Sequence, residues 1–326
     1  MTGDFSGLDP HAALEAVEEA FGVRPDGSFY PYPSYVNRVY GFRADDGREY
    51  VAKFYRPGRW TPDAIRDEHD FVLALRDADV PVVPPLPDLE GDTLPFLALG
   101  DEGPELPFAL FEKRGGRSFD ADGPDDLLRL GSLAGRIHAV GSALAAAGRC
   151  GHRPRMEPGL LASHAAVLAP LVPPELRDEF GALMSKGAEL TDRVLDGRTA
   201  IILHGDFHRG NILDRVDQGL LAIDFDDSCL GPPVQDLWML LPGTAAQSPR
   251  ELEAAIRGYD TFASFDPAWL GMIEALRLLR MTHYLAWQAR QLRDTGFQTH
   301  FPAWGTRAFW ERELSDIQNQ LDSAGA

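Results

Sequence analysis

Apolar and polar positions along this chain follow two rhythms, one helical and one strand-like. Ala13, Leu14, Val17, Ala20 and Phe21 recur at helical spacing, and Asp9 followed by Pro10 supplies an N-cap and a first-turn proline. The Pro/Tyr-rich turn Tyr30-Pro31-Tyr32-Pro33-Ser34 breaks that pattern. Arg38 to Phe42 and Glu49 to Tyr55 then flank Asp45-Asp46-Gly47, which predicts a hairpin. Thr61-Pro62 repeats the cap-then-proline signal and opens a helix to about Ala78. Prolines are frequent from Val80 to Pro107, which predicts short strands with loops. Pro107 to Glu112 reads as a strand, and Gly115-Gly116 ends it.

Beyond that glycine pair the pattern turns helical. Asp125 to Ala147 is a long helix with Leu127, Leu130, Ala134 and Ile137 in register. Ala200 to Leu203 and Leu220 to Asp224 read as short strands bracketing a loop, and the stretch from Pro249 to about Ser323 reads as three amphipathic helices. The expected class is α+β with two lobes: a small antiparallel-sheet lobe over residues 1–113 and a larger, mostly helical lobe over residues 114–326.

Composition narrows the functional classes. The chain has 326 residues, of which 44% are hydrophobic and 25% charged, and 31 basic against 50 acidic residues leave a net charge of -19. Such acidity disfavours nucleic acid or anionic membrane as the main partner. The only cysteines, Cys150 and Cys229, lack metal-type spacing, which suits free thiols in a reducing compartment. Met1 to Phe5 lacks the pattern of a secretory leader, and a cytoplasmic monomer is expected.

The chemistry concentrates in His204-Gly205-Asp206-Phe207-His208-Arg209-Gly210-Asn211 and in Ile223-Asp224-Phe225-Asp226. An acid beside a carboxamide, with a second acid beyond the next hairpin, suits phosphoryl transfer from a metal-bound nucleotide. Asp206 would orient or deprotonate an attacking hydroxyl, and Asn211 and Asp224 would offer Mg²⁺ hard oxygen ligands. Lys53, on the strand Tyr50 to Tyr55, would meet nucleotide phosphates. On the following helix Glu68 shares a face with Ile65, Val72 and Leu75, so an inward Lys53–Glu68 pair is expected. Ser34, Asn37 and Arg38 stand where a glycine-rich phosphate loop would lie and could replace its contacts with a hydroxyl, an amide and a guanidinium. Asp226 and Asp227 are secondary candidates, either supporting the site or exposed. His204 reads as a brace, His138 as a satisfied core histidine, and Asp236 as a helix cap that also bonds loop backbone.

Val51-Ala52-Lys53, Glu68, His204-Gly205-Asp206-x4-Asn211 and Asp224 together resemble the aminoglycoside-phosphotransferase and choline-kinase-like branch of the protein kinase superfamily. Ser34 to Tyr40, Lys53 to Thr61, Gly115-Gly116-Arg117, Gly231 to Leu241 and Tyr284-Leu285-Ala286-Trp287 are similar, more narrowly, to a bacterial stress-response group of atypical serine/threonine protein kinases. The resemblance implies Asp206 as catalytic acid/base, Asn211 and Asp224 as Mg²⁺ ligands, and Ser34 with Lys53 as ATP contacts. It also implies a hinge at Glu112 whose backbone meets adenine. His208 occupies the offset at which protein kinases commonly carry a phosphate-contacting lysine, with an exposed loop histidine as the alternative. ATP is then the co-substrate and protein serine/threonine the expected acceptor, with a small-molecule alcohol or amine, or a nucleotide-sensing pseudokinase, as alternatives. Gly205 replaces the arginine that reads a phosphorylated activation loop, and Asp236 follows Asp224 closely, so no phosphorylation switch is expected.

Overall fold

The computed structural model describes residues 5, 7–100, 105–119, 123–195, 200–294 and 296–325. Met1 to Asp4, read above for a leader, lie outside them. In chain order the elements are α1 (Pro10–Phe21), β1 (Tyr30–Pro31), β2 (Arg38–Arg43), β3 (Glu49–Phe54), α2 (Pro62–Asp77), β4 (Phe96–Ala98), β5 (Glu105–Glu112) and β6 (Arg117–Ser118). Then follow α3 (Pro124–Ala146), α4 (Leu160–Leu168), α5 (Arg177–Val194), β7 (Ile201–Leu203), β8 (Ile212–Arg215), β9 (Gly219–Ala222), β10 (Cys229–Gly231), α6 (Val234–Trp238), α7 (Pro249–Tyr259), α8 (Ile273–Arg290), α9 (Phe297–His300) and α10 (Arg307–Ser323). The α+β class is as expected, with an antiparallel sheet early in the chain and helices late.

Two compact units arise, and they are not separated by a single cut after residue 113. The first joins Met1–Ala121, Ala139–Arg153 and Asp206–Ser228; the second joins Asp122–His138, Pro154–Gly205 and Cys229–Ala326. The Asp206–Ser228 segment belongs to the first because its hairpin β8–β9 pairs with β6, and Ala222 N–H donates to the Pro81 carbonyl at 3.0 Å.

The first unit is organised by a five-stranded antiparallel sheet in the order β1-β2-β3-β5-β4. Both helix caps form as the sequence indicates. The Asp9 carboxylate accepts from His11 and Ala12 N–H groups, and Thr61 Oγ1 accepts from Ala64 N–H. Strand alternation divides β3 between two cores. Tyr50, Ala52 and Phe54 pack with Ala13, Ala16 and Val17 of α1, while Tyr55 beyond the strand packs with Ile65 of α2 and Ala109. Lys53 has the parity of Tyr55 and therefore faces α2. Between Val80 and Glu105 the only strand among the described residues is β4, since prolines remove the N–H groups that ladders need.

In the second unit, α3 and α7 meet backbone to backbone. A Cβ at Gly131 would overlap the Ala255 carbonyl, and one at Gly258 would overlap the Leu128 carbonyl. The C-terminal region contains the three expected long helices, α7, α8 and α10, plus the single turn α9.

Gly131→Ala should destabilise the protein by about 1–3 kcal/mol or more through overpacking, read as a lowered midpoint in chemical denaturation; an unchanged midpoint would show that the helices can separate freely. A second expectation concerns His69 on α2, whose ring bridges the Tyr55 hydroxyl and Thr93 Oγ1, each at 2.8 Å. Burial, with Lys53 adding to it, lowers its pKa from 6.5 to about 3. The unfolded chain therefore binds a proton there that the folded chain refuses. Stability from this residue is complete above pH 6.5 and falls by roughly 1.4 kcal/mol per pH unit as pH drops toward 3. In thermal melts across that window, His69→Gln should flatten the acid limb.

Candidate active site

Lys53 is a buried cation of the first unit, surrounded by three acids. It is 9% exposed, and its Nζ lies 3.2 Å from Asp224 Oδ1, 3.4 Å from Asp226 Oδ1 and 3.8 Å from Glu68 Oε1. Burial works against its charge, but Asp226, Asp224 and Glu68 together hold its pKa well above the usual lysine value. The expected Lys53–Glu68 pair is thus present, as the longest of three. Glu68 is 3% exposed, and burial raises its pKa to about 7 against the pull of Lys53. Lys53 gives its closest contacts to the other two acids.

Asp226 is the residue that sequence reasoning undervalued. It is buried, and its carboxylate meets Lys53, Arg59 Nη1 at 2.9 Å and the Asn37 amide at 3.3 Å. Burial would raise its pKa, but Lys53, Arg59 and Arg153 hold it well below the usual carboxylate range. Arg59 also donates to Asp227 at 2.6 Å. One signal in the sequence could have found this arrangement: an arginine in the turn before α2, opposite a second acid two residues past Asp224. Asn37 is fully engaged as well, since its carbonyl accepts from Arg56 N–H at 3.1 Å. Ser34 Oγ accepts from Asn37 N–H at 3.3 Å, closing the turn before β2.

Asp224 does not close β9, as the apolar run suggested. The strand ends at Ala222, and Asp224 adopts a left-handed backbone with φ 63°. That conformation is uncommon outside glycine, though Asp and Asn tolerate it better than most. Its side chain is 55% exposed, in contrast to Asp226.

Asp206 and Asn211 form a second constellation. The Asn211 amide donates to the Asp206 carbonyl at 3.0 Å and to its Oδ2 at 3.3 Å. His208 Nε2 lies 3.3 Å from the same Oδ2, and its Nδ1 accepts from Gly210 N–H at 2.9 Å, which sets the proton on Nε2. The hairpin then links this loop to Asp224: Ile212 pairs with Ala222, and Ile223 N–H donates to the Asn211 carbonyl at 3.0 Å. Asn211 and Asp224 are thereby held at the same end of β8–β9.

His204 and Gly205 belong to the second unit and are held within it. Gly205 has φ 83°, a value that favours glycine and accounts for its place in His-Gly-Asp. The Asp236 carboxylate accepts from His204 and Gly205 N–H groups at 2.9 and 3.0 Å, and from His138 Nε2 at 2.9 Å. The backbone bonds are as expected, but Asp236 is not a cap. It lies inside α6, where the N-cap position is Pro233. His138 is a satisfied core histidine, with Nδ1 at 3.2 Å from the Tyr259 hydroxyl.

The donor set fits a hard divalent cation. The Asn211 nitrogen is taken by Asp206, which leaves its carbonyl oxygen, and Asp224 offers a half-exposed carboxylate. Among the described residues no cluster of three or more His, Cys, Asp or Glu could cage a metal. One or two protein oxygens completed by substrate oxygens is the pattern Mg²⁺-like ions accept. Glu112 ends β5, and its carboxylate is paired with Arg114.

Residues 31–273 match the family model described as "Phosphotransferase enzyme family". The chain belongs to that family. It is 39% identical to stress response kinase A of Escherichia coli (strain K12), over 97% of this chain and 93% of the relative. It is 36% identical to serine/threonine protein kinase RdoA of Salmonella typhimurium (strain LT2), with the same coverage. Its fold is that of the amicoumacin kinase hAmiN, solved in complex with AMP-PNP, Ca²⁺ and Ami, at a TM-score of 0.77 and 18% identity, covering 97% of this chain and 95% of that one. As a kinase of this family, it has the chemistry of an ATP-dependent phosphotransferase.

Asp226→Ala would leave Lys53 and Arg59 without their shared buried acid. A loss of about 3–5 kcal/mol is expected in urea unfolding; a loss below about 1 kcal/mol would show that Asp226 is not the anchor.

Proposed function

We propose that this kinase transfers the γ-phosphoryl group of ATP, with Mg²⁺, to serine or threonine hydroxyls of proteins. The observation that carries the acceptor class is the near full-length relatedness to a protein named as a serine/threonine kinase. The chemistry is supported by Lys53, an ammonium kept charged in a buried setting next to Asp224.

In this reading Asp206 accepts a hydrogen bond from the attacking hydroxyl and orients it. Early deprotonation is not required, because the transition state for phosphoryl transfer is loose. Lys53 meets phosphate oxygens and balances their charge. Asn211 and Asp224 would hold Mg²⁺, which when bound neutralises charge on the phosphates. Ser34 and the backbone at Glu112 belong to the nucleotide side, while Asn37 braces the turn through Asp226. His208, beside Asp206, contacts the phosphoryl group or the acceptor. Residence in the cytoplasm as a monomer is part of the same proposal. Among the described residues no helix is long and apolar enough to cross a membrane.

A small-molecule acceptor is the second reading, favoured by the fold shared with a kinase solved with Ami. Labelled ATP offered with model proteins and, separately, with a panel of hydroxyl and amine metabolites separates the two. Label in protein serine or threonine is expected, and label confined to metabolites would overturn the protein reading. Asp206→Ala should lower transfer by roughly 10²–10⁴-fold while the thermal midpoint changes little. Full activity in that variant would remove Asp206 from the mechanism.

A further inference from the structure

Arg153 has no part in the chemistry above, yet its side chain is completely buried. Its guanidinium donates to three main-chain carbonyls: Asp226 at 2.6 Å, Ser228 at 2.8 Å and Ala64 at 3.2 Å. It lies 4.4 Å from the Trp60 ring, and Glu68 Oε2 is 4.0 Å away. One side chain thus reaches the first turn of α2, through Ala64, and two positions, Asp226 and Ser228, of the loop that follows Asp224.

That loop needs an external hold. It contains a left-handed aspartate, and its turn is closed by Ser228 N–H donating to the Phe225 carbonyl at 2.9 Å. Strained backbone persists only where surrounding contacts over-determine it. Phe225 supplies one such contact, edge-on against Phe71 of α2 with centroids 5.7 Å apart. Arg59 supplies another through the Asp226 and Asp227 carboxylates. Arg153 grips the backbone itself, and its planar fork of donors suits three carbonyls in a way a lysine ammonium cannot.

We propose that Arg153 is a positioning residue that locks α2 and the Asp224–Ser228 loop into one cooperative unit. The lock keeps Lys53, Glu68 and Asp224 assembled in the chain as it folds, with no phosphorylation event needed. The consequence for turnover rests on the role proposed above for Asp224; the lock itself does not.

Native-state hydrogen exchange tests the lock in the unaltered protein. Amides of Phe225 to Ser228 and of the buried face of α2 should open together, with the same dependence on low denaturant. In Arg153→Lys, exchange of the loop amides should rise at least tenfold and kcat should fall at least tenfold, with the KM for ATP changing less than threefold. Added guanidinium ion at millimolar concentration should recover part of kcat in Arg153→Ala. A loop that exchanges freely in the unaltered protein while α2 stays protected would overturn the proposal, whether or not either variant folds. So would a folded Arg153→Lys with unaltered loop exchange. Faster loop exchange with unchanged kcat would uphold the lock and remove Asp224 from the chemistry.

Discussion

A charge taken out of water must be answered by another charge, and in the first unit that requirement converges on Asp226. Lys53 and Arg59 both reach its carboxylate, the Asn37 amide donates to one of its oxygens, and Arg153 holds its main chain. The turn before β2, the turn before α2, the end of β3 and the loop after β9 are therefore tied to one buried group. None could be moved alone without taking a partner from that buried charge, which costs more than losing an exposed ion pair. Glu68 and Asp224 share this arrangement without being its centre. Glu68 is the acid that burial disfavours, and Asp224 keeps a half-exposed carboxylate.

Much of this was legible in the sequence because local signals and periodicity carry it. Asp9-Pro10 and Thr61-Pro62 begin their helices where cap chemistry says they should. The inward stripe of α2 is Ile65, Glu68, Val72 and Leu75, all buried, and a glutamate on that stripe already implied a cation opposite. The kinase chemistry of Asp206, Asn211, Asp224 and Lys53 was stated from residue types and order, and family membership agrees with that class of enzyme. The gaps have a common cause. Helical and strand periods say which side chains turn inward, but not which distant residue they meet. Asp226 and Arg59 are far apart in sequence, as are Arg153 and Ala64. Backbone conformation was equally hidden: the apolar run Leu220 to Ile223 reads as a strand through Asp224, whereas the chain leaves the ladder at Ala222. A single cut after residue 113 follows local pattern alone, which carries no sign that the Asp206–Ser228 hairpin pairs with β6 and bonds Pro81.

The second unit contributes by fixing backbone. Asp236 accepts from His204 N–H, Gly205 N–H and His138, and Tyr259 stands on the far side of the His138 ring. A carboxylate that accepts from three donors inside α6 fixes the backbone of His204 and Gly205. The close approach of α3 and α7, which requires Gly131 and Gly258, positions Tyr259 and His138 in turn.

The left-handed backbone at Asp224 also narrows what the position can become over evolutionary time. Glycine, asparagine and aspartate are the residues that accept such a φ at small cost. Of these, aspartate alone brings the negative charge that Lys53 meets. Two unrelated filters, one conformational and one electrostatic, thus intersect on a single amino acid. A drifting copy of this gene that no longer needed the chemistry would pass first to asparagine or glycine at 224, with its fold intact.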